Sequence, residues 1–336
     1  MASLPRGPEW HYEPKWDGFR CLAFREGPTV RLQSKSGQPL DRYFPELVSA
    51  FAALRARRFV LDGEIVIPHG QALSFDDLLQ RIHPAASRVR KLAAATPAWF
   101  IAFDLLAGPM GGSLLNQPFR ERRTRLEQFA RRFFGRANNL RLSPATTDWA
   151  KAMRWFRSAG NGSLDGVMAK RRDAPYRPGE RDAMQKFKPV RTADCVVGGF
   201  RYASKGRVVG SLLLGLYDRA GRLNHVGFCS GFKHEDRAAL TKKLERLIAP
   251  PGFTGSAPGG PSRWSTERST QWQPLRPKLV VEVSFDHVTG DRFRHGTGLV
   301  RWRPDKAPRQ CGMEQIHQGA ARPLALIDAG KRKKNP

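Results

Sequence analysis

Alternating apolar and polar positions dominate the first 190 residues, and helical spacing interrupts them in a few places. Predicted strands lie at residues 19–37, which read as two strands joined by a turn, and at residues 58–70 and 98–108. Apolar positions at helical spacing predict a helix within residues 41–58, and a strongly basic helix follows at residues 118–134. Strands and helices are mixed, so we predict one α+β domain spanning residues 1–190.

The pattern changes after residue 191, where short strands with Gly-rich turns follow one another and a single helix, at residues 233–249, interrupts them. Several short strands with one helix predict a small β-barrel such as the OB-fold. We place this second domain at residues 191–320, with a Pro/Gly/Ser-rich surface loop at residues 250–270. Residues 321–336 are predicted to form a basic C-terminal tail with a disordered end, GKRKKNP.

The chain of 336 residues carries a large excess of positive charge. Its 58 lysines and arginines against 30 aspartates and glutamates give a formal net charge of +28. Such an excess is typical of proteins that bind polyanions, and nucleic acid is the first candidate, ahead of a membrane surface. The arginine-rich segment 120–132 is either a solvated helix face or a contact for the duplex backbone.

Apolar stretches fall short of the length of a membrane span, and the first residues lack the apolar core of a signal peptide. We therefore expect a cytoplasmic, nucleoid-associated protein without membrane contact. The four cysteines (Cys21, Cys195, Cys229 and Cys311) are widely separated, which predicts buried, reduced side chains rather than a zinc cluster. Because no heptad pattern is visible, we expect a monomer.

In the segment EPKWDGFR, Lys15 stands between Glu13 and an Asp-Gly turn, which is unusual for a simple surface lysine. At the ordinary lysine pKa of about 10.4, only about one amine in a thousand is neutral at pH 7.4, so a nucleophilic lysine needs nearby cations or a metal. The candidates for such cations are Lys170 in DGVMAK and Lys186 and Lys188 in QKFKP. These three lysines are equally suited to holding a phosphate group.

Two carboxylates follow a similar pattern. Glu64 stands in LDGEIV and Asp165 in LDGVMAK, each beside an Asp-Gly or Gly step like the one after Lys15. Carboxylate oxygens are the usual ligands of hard divalent cations. We therefore predict that Glu64 and Asp165 bind a hard divalent cation.

The motifs EPKWDGFR, QSKSG, LDGEIV, FIAFDLL, LDGVMAKRR, QKFKPV and RWRPDK occur in this order along the chain. Together they resemble the motifs of ATP-dependent DNA ligases, most closely the short, stand-alone bacterial C type within the covalent nucleotidyltransferase superfamily. The resemblance runs from about residue 13 to residue 311. It implies an α+β nucleotidyltransferase (adenylation) domain, ATP-grasp-like with antiparallel sheets and flanking helices, followed by an OB-fold domain.

The resemblance also implies roles for individual residues. Lys15 would be the catalytic nucleophile that takes AMP from ATP and passes it to the 5′-phosphate of nicked double-stranded DNA, where the 3′-hydroxyl then displaces it. Glu13 would read the adenine edge, and Phe103 would stack on the ring. Phe103 is equally well explained as a core residue. Arg20 and Glu64 would hold the ribose side.

Further residues are implied to bind phosphates. Lys186 and Lys188 would bind the α-phosphate with Lys170 close by, and Glu64 and Asp165 would bind the Mg²⁺ or Mn²⁺ ion. The family commonly has Glu where this chain has Asp165, and the shorter side chain shifts the metal position by about one carbon–carbon bond.

Four more residues complete the implied nucleotide site. In the OB-fold domain, Arg303, Asp305 and Lys306 would orient the pyrophosphate leaving group while that domain moves as a hinged unit. An arginine is usual where this chain has Lys35, which replaces a bidentate phosphate grip by a point charge.

Several alternatives remain open at this point. An RNA ligase or an mRNA-capping guanylyltransferase would share Lys15 and its surroundings. A non-enzymatic OB-fold protein that binds nucleic acid, with an inactive first domain, would be expected to lack an intact Lys15 cluster. DNA repair is the expected pathway, and an end-binding or repair protein is a further expected partner.

Overall fold

The computed structural model describes residues 4–135, 139–159, 164–180, 182–231, 236–259, 271–316 and 324–328. The chain divides into two compact units, one made of Met1–Pro189 with Ala320–Pro336 and one of Val190–Gly319.

The first unit contains ten strands and six helices in the described residues. They are β1 (Trp10–Trp16), β2 (Phe19–Glu26), β3 (Thr29–Ser34), α1 (Pro45–Ala52), β4 (Arg58–Val66), β5 (Pro68–His69), β6 (Ala72–Leu73), α2 (Phe75–Gln80), α3 (Ala86–Ala95), β7 (Trp99–Ala107), α4 (Phe119–Phe133), β8 (Leu140–Leu142), α5 (Trp149–Ser158), β9 (Leu164–Arg171), β10 (Met184–Phe187) and, later in the chain, Leu324–Asp328. The helix predicted within residues 41–58 is shorter than expected, because Pro45 starts α1 and β4 already begins at Arg58.

Two antiparallel sheets organise this unit. The first has the order β1-β9-β10, and the second has the order β3-β2-β4-β7-β8, in which only the β7–β8 pair is parallel. One face of the first sheet is apolar, with Tyr12, Val167 and Phe187 packed against Trp155 of α5. This packing leaves alternate residues of the same strands, among them Glu13 and Lys15, on the other face.

The second sheet has a larger aromatic core, which α1 and α4 cover. Phe51 of α1 contacts Phe100 of β7 edge to face at a centroid distance of 5.1 Å, and Phe129 of α4 contacts Phe59 of β4 at 5.2 Å. These rings are almost fully buried. The core therefore fixes β4 and β7, the strands that carry Glu64 and Phe103.

The second unit is mainly antiparallel sheet. Its elements are β11 (Arg191–Tyr202), β12 (Val209–Tyr217), β13 (Leu223–Cys229), α6 (Arg237–Glu245), β14 (Gln273–Pro274), β15 (Val280–Phe285), β16 (Val288–Thr289), β17 (Arg292–Phe293) and β18 (Gly298–Trp302). The main sheet has the order β13-β12-β11-β15-β18, with β14 also paired to β11, and the strands shift register at several bulges. Bulged, strongly bent strands around one apolar core are typical of small barrels.

The predicted C-terminal tail needs a correction. Leu324–Asp328 forms a short helix, α7, in which Leu324 and Ile327 are buried in a cluster with Trp16 and Val66 of the first unit. The apolar residues of LALID therefore belong to a packed element rather than to a basic tail. The segment GKRKKNP and most of the loop predicted at residues 250–270 lie outside the described residues.

The cysteines and the lengths of the helices bear on two further expectations. All four cysteines are buried, as predicted from their spacing, and they form no disulfide bonds. Of the helices in the described ranges, none combines the length and the apolar character that crossing a bilayer requires.

Candidate active site

A β-bulge lies at the point where the lysine of EPKWDGFR meets β9. Lys15 stands opposite Gly166, whereas the next residue, Trp16, stands opposite Leu164, so that Asp165 is an extra residue on its strand. A bulge of this kind turns a side chain out of the regular alternation. Here it directs the Asp165 carboxylate toward Lys15, with which it forms an ion pair.

Asp165 holds a second lysine as well. The Nζ atom of Lys188 lies 2.8 Å from Asp165 Oδ1. The Asp165 side chain is only 7% exposed, but that of Lys15 is 24% exposed, so the amine remains reachable from solvent. Lys186, two residues before Lys188, lies opposite Met168 of β9 and is exposed. The structure therefore brings Lys15, Asp165 and Lys188 together, with Lys186 nearby on β10.

Glu64 lies close to the same lysine. It stands directly opposite Arg20 in the β2–β4 pair and is half-buried. Burial raises the pKa of Glu64 to about 8, while the charges of Lys15 and Arg20 oppose that rise. The carboxyl group is thus within electrostatic reach of Lys15, as its implied role requires.

Arg20 belongs to a hydrogen-bonded network that the sequence does not predict. Its Nε and Nη2 atoms donate to Asp62 at 3.1 and 2.7 Å, and Nη2 also donates to the Tyr176 hydroxyl at 3.1 Å. The same hydroxyl donates to Asp62 at 2.9 Å. The guanidinium also lies 5.9 Å from the centre of the Phe103 ring. Asp62 and Tyr176 therefore fix the orientation of a residue expected at the ribose.

A second network surrounds Glu13, whose side chain is 2% exposed. Lys170 Nζ lies 2.7 Å from Glu13 Oε2, and Arg123 Nη1 lies 3.2 Å from Glu13 Oε1. The Lys170 ammonium also stands 4.7 Å from the ring centres of both Phe103 and Phe119. The sequence grouped Lys170 with the phosphate-binding lysines, whereas the structure places it beside Glu13 and the aromatic rings.

A pocket in the first unit is lined by Arg20, Asp62 and Tyr176 of the first network and by Lys170 of the second. Phe103 is half-buried and contributes to its wall, so its ring is not wholly internal. The residues that line this pocket include Arg20, Phe103, Phe119, Lys170, Tyr176 and Met184. Aromatic walls with a few convergent polar groups are typical of a nucleotide-binding pocket.

The arginines of the basic helix α4 are not all solvated. Arg122 donates to both oxygens of Asp104 at 3.0 and 2.9 Å, and Arg122 and Arg123 are buried. These two positions lie on the same helix face as the buried Phe119, Leu126 and Phe129. The helical spacing of those apolar residues was the signal that could have identified the two arginines as internal.

Two predicted residues are exposed. Lys35 is exposed in the turn that follows β3, and the structure does not bring it into contact with the Lys15 cluster. Lys186 is likewise exposed, as the wet face of a strand predicts.

The second unit has its own charge cluster around Asp194 of β11. Arg303 Nη1 lies 2.9 and 3.1 Å from the two Asp194 oxygens, and Lys306 Nζ lies 2.6 Å from Oδ2. Arg303 also donates to Asp305, with the shortest distance 2.8 Å. Arg303, Asp305 and Lys306 are therefore held together, and Asp194, which the sequence did not single out, is the residue that holds them.

The carboxylates fit a divalent cation of one particular kind. In the described ranges, His, Cys, Asp and Glu nowhere form a cluster of three that could enclose a metal ion by themselves. Glu64 and Asp165, however, both approach Lys15. Mg²⁺ is typically bound through one or two carboxylates, with substrate phosphates and water as the other ligands. The donor set fits an ion that arrives with a nucleotide.

Comparison with known proteins adds independent findings. A family model described as ATP dependent DNA ligase domain matches residues 4–188, and another, ATP dependent DNA ligase C terminal region, matches residues 205–306. The chain is 44% identical to DNA ligase C of Mycobacterium tuberculosis, over 99% of this chain and 96% of that protein. It is 46% identical to DNA ligase C2 of Mycolicibacterium smegmatis, over 92% of this chain and 90% of that protein.

A solved structure from the Lig E DNA ligases matches with a TM-score of 0.56 and 18% identity, covering 89% of this chain and 94% of that one. At this identity the likeness concerns the fold alone. Together with the family models, it confirms the predicted class, an α+β nucleotidyltransferase domain followed by an OB-fold domain.

Proposed function

Because this chain belongs to the ATP-dependent DNA ligase family, we propose that it seals nicks between a 5′-phosphate and a 3′-hydroxyl through AMP carried on Lys15. The observation that carries this proposal is the arrangement of Lys15, Asp165 and Lys188 at the bulge, with Glu64 nearby. A reachable amine, two carboxylates and a further cation are what transfer of a nucleotide to a lysine requires.

The reaction is three successive displacements at phosphorus. First the neutral Lys15 amine attacks the α-phosphorus of ATP, the phosphoramide bond forms, and pyrophosphate leaves. The proton that the Lys15 ammonium must lose lies next to the Asp165 carboxylate, the acceptor with which it is paired. Next, a 5′-phosphate oxygen attacks the same phosphorus and frees the lysine. Finally the 3′-hydroxyl attacks the 5′-phosphorus, the new phosphodiester bond forms, and AMP leaves.

Base recognition follows from Glu13 and Lys170. Side by side, they offer a carboxylate acceptor and an ammonium donor. The Watson–Crick edge of adenine has the complementary pair, an amino donor at N6 and an acceptor at N1, whereas guanine has the reverse order. Phe103 would stack on the ring, and Arg20 with Glu64 would hold the ribose. The pairing supports ATP rather than GTP as the nucleotide.

The remaining phosphate contacts would come from lysines and a metal ion. Lys186 and Lys188 would bind the α-phosphate, with Lys35 as a weaker, peripheral point charge. Glu64 and Asp165 would hold Mg²⁺ or Mn²⁺, which supplies positive charge against the phosphate oxygens when it is bound.

In the second unit, the cations of the Asp194 cluster are suited to the pyrophosphate. Arg303 and Lys306 carry the charge, and Asp305 orients the Arg303 guanidinium. A planar guanidinium and an adjacent ammonium are a typical combination for binding phosphate groups. DNA repair is the cellular role that we propose for this sealing activity, and a test in a deletion strain exposed to DNA-damaging agents would examine it.

The test of the function follows the label of α-³²P-ATP. The protein should retain the label after denaturation. When nicked duplex is added, the label should leave the protein and be released as AMP, and the nick should be sealed. Lys15→Ala should take up no label, whereas Lys91→Ala, an exposed lysine of α3, should behave like the unchanged protein. Label uptake from GTP but not ATP would indicate a capping-type enzyme, and uptake from neither would contradict the proposal.

A further inference from the structure

We propose that Arg123 is a positioning residue that sets the nucleotide specificity of the site by fixing Glu13. This inference rests on the proposed function, because Glu13 must face the base for Arg123 to influence which base is accepted. Arg123 lies in the helix that the sequence indicated as a solvated or DNA-facing basic surface.

Arg123 is an internal residue with an acceptor at each of its three nitrogens. Its side chain is 5% exposed, and three of its nitrogens donate hydrogen bonds: Nη1 to Glu13 Oε1 at 3.2 Å, Nη2 to the Ser143 carbonyl at 2.8 Å, and Nε to Glu127 at 2.8 Å. Helix α4 thereby reaches a strand that lies 110 residues earlier in the sequence. The planar guanidinium reaches these three acceptors from three separate nitrogens in a fixed geometry, whereas a lysine would present its donors from a single atom.

Glu13 is held from both sides as a consequence. Arg123 binds Oε1, and Lys170 binds Oε2. A carboxylate has about four lone-pair positions, so about one on each oxygen remains after these two contacts. With both oxygens fixed, these positions have defined directions, and the only partner that they accept is a hydrogen-bond donor.

That restriction separates the two purine nucleotides. When the base sits with position 6 against Glu13, the N6 amino group of adenine is a donor, whereas the O6 of guanine at the same position is an acceptor and faces the carboxylate unfavourably. A site that uses buried polar groups to recognise a ligand discriminates strongly against a ligand that leaves those groups unpaired. Without Arg123, the Glu13 carboxylate would be free to rotate about its last side-chain bond. Both the contact with adenine and the rejection of guanine would then become weaker.

The experiment compares Arg123→Gln with Arg125→Gln, a change of an exposed arginine on the same helix. The kcat/KM values for covalent nucleotide uptake are measured with ATP and with GTP, in the absence of DNA. We expect the ATP/GTP ratio to fall by about tenfold or more in Arg123→Gln and to stay unchanged in Arg125→Gln. An unchanged ratio in an Arg123→Gln protein that still takes up AMP would overturn the inference.

A double-mutant cycle separates positioning from a general structural effect. If Arg123 acts through Glu13, then adding Arg123→Gln to Glu13→Gln should not change the ATP/GTP ratio further. Equal effects of Arg123→Gln in both backgrounds would contradict the inference. If thermal melting shows that Arg123→Gln does not fold, Arg123→Lys takes its place. This variant retains the charge with fewer donors, and it should also lower the ATP/GTP ratio of kcat/KM. Failure of the unchanged protein to take up AMP would instead count against the proposed function.

Discussion

Lys15 and Asp165 form an ion pair because a bulge in the first sheet adds one residue to β9 opposite the lysine. Without that extra residue, the carboxylate would follow the regular alternation and point to the opposite face from Lys15. The local irregularity, more than the sequence of either strand alone, thus brings the proposed nucleophile and its carboxylate together.

Replacing that carboxylate should impair the first chemical step. Asp165→Asn removes the charge that pairs with both Lys15 and Lys188, and with it one expected ligand of the metal ion. We expect AMP uptake to slow by about a hundredfold or more, measured as the rate of label incorporation at saturating ATP and Mg²⁺. Asp173→Asn, which removes an exposed carboxylate near the end of the same strand, is the control and should stay within about twofold of the unchanged protein. A rate above one tenth of normal in Asp165→Asn would contradict this role.

The bulge should depend on the glycine that follows Asp165. Gly166 has a φ of +150°, and a Cβ atom there would lie 1.9 Å from the carbonyl oxygen of Phe187. We expect Gly166→Ala to lower the free energy of unfolding by about 3 kcal/mol, because the strands must separate or bend to admit the methyl group. Urea denaturation measures this difference. Gly108→Ala, where a Cβ atom would meet nothing within 4 Å, is the control.

The Tyr176 hydroxyl should contribute to nucleotide binding through Arg20. In Tyr176→Phe, Arg20 loses one acceptor, and Asp62 loses one donor, while the ring is retained. We expect the KM for ATP to rise several-fold with little change in kcat, since the contact helps to orient Arg20, which we propose binds the nucleotide. Steady-state AMP uptake over a range of ATP concentrations gives both constants. Tyr202→Phe removes a hydroxyl that donates to Glu245 at 2.8 Å in the second unit, and it should leave the KM unchanged.

His225 should make the second unit sensitive to acid. Burial, followed by the charges of Arg292 and Arg201, lowers the pKa of His225 to about 3. An unfolded histidine binds a proton below about pH 6.5, so the unfolded state takes up this proton first and stability falls as the pH drops from 6.5 toward 3. The slope contributed by one proton is at most about 1.4 kcal/mol per pH unit.

Substitution of His225 tests this directly. We expect His225→Gln to lose less stability than the unchanged protein between pH 7 and pH 5, by up to about 2 kcal/mol, as measured by urea denaturation at both values. His69→Gln, at an exposed position, serves as the control. Equal losses in His225→Gln and in the unchanged protein would show that the histidine is protonated in the folded state.

The sequence identified the residues that stand in contiguous motifs. Lys15, Glu64 and Asp165 each lie beside an Asp-Gly or Gly step, and the structure brings these three residues together. The partners that orient the site were not predictable in this way. Arg123 and Lys170 meet Glu13 across 110 and 157 positions of the sequence, and such pairings depend on how helices and sheets pack.

Some secondary-structure elements were predictable from the sequence, and others were not. Apolar alternation predicted the strands that carry the site, because one face of each sheet is packed against a helix. Helix α7 was missed since its two buried residues, Leu324 and Ile327, are too few to give a period and precede the basic end of the chain. Their burial comes from tertiary contacts that a short pattern does not specify.

Asp194 offers a final test, because it should affect only the step that releases pyrophosphate. Its backbone is fixed by the Gln315 side chain, which accepts from its N–H at 2.9 Å and donates to its carbonyl at 3.1 Å, while its carboxylate holds Arg303 and Lys306. We expect Asp194→Asn to slow AMP uptake from ATP by about tenfold, because the two cations lose their common anchor.

Sealing of a nick that already carries AMP on its 5′-phosphate involves no pyrophosphate, so its rate should stay within about twofold of normal in Asp194→Asn. This second substrate also reports whether the variant is folded. Glu282→Gln is the matched control, since it removes a carboxylate from the neighbouring strand that pairs with Arg301 instead. Equal slowing with ATP and with the adenylated nick would mean that Asp194 stabilises the second unit as a whole and has no separate role in handling pyrophosphate.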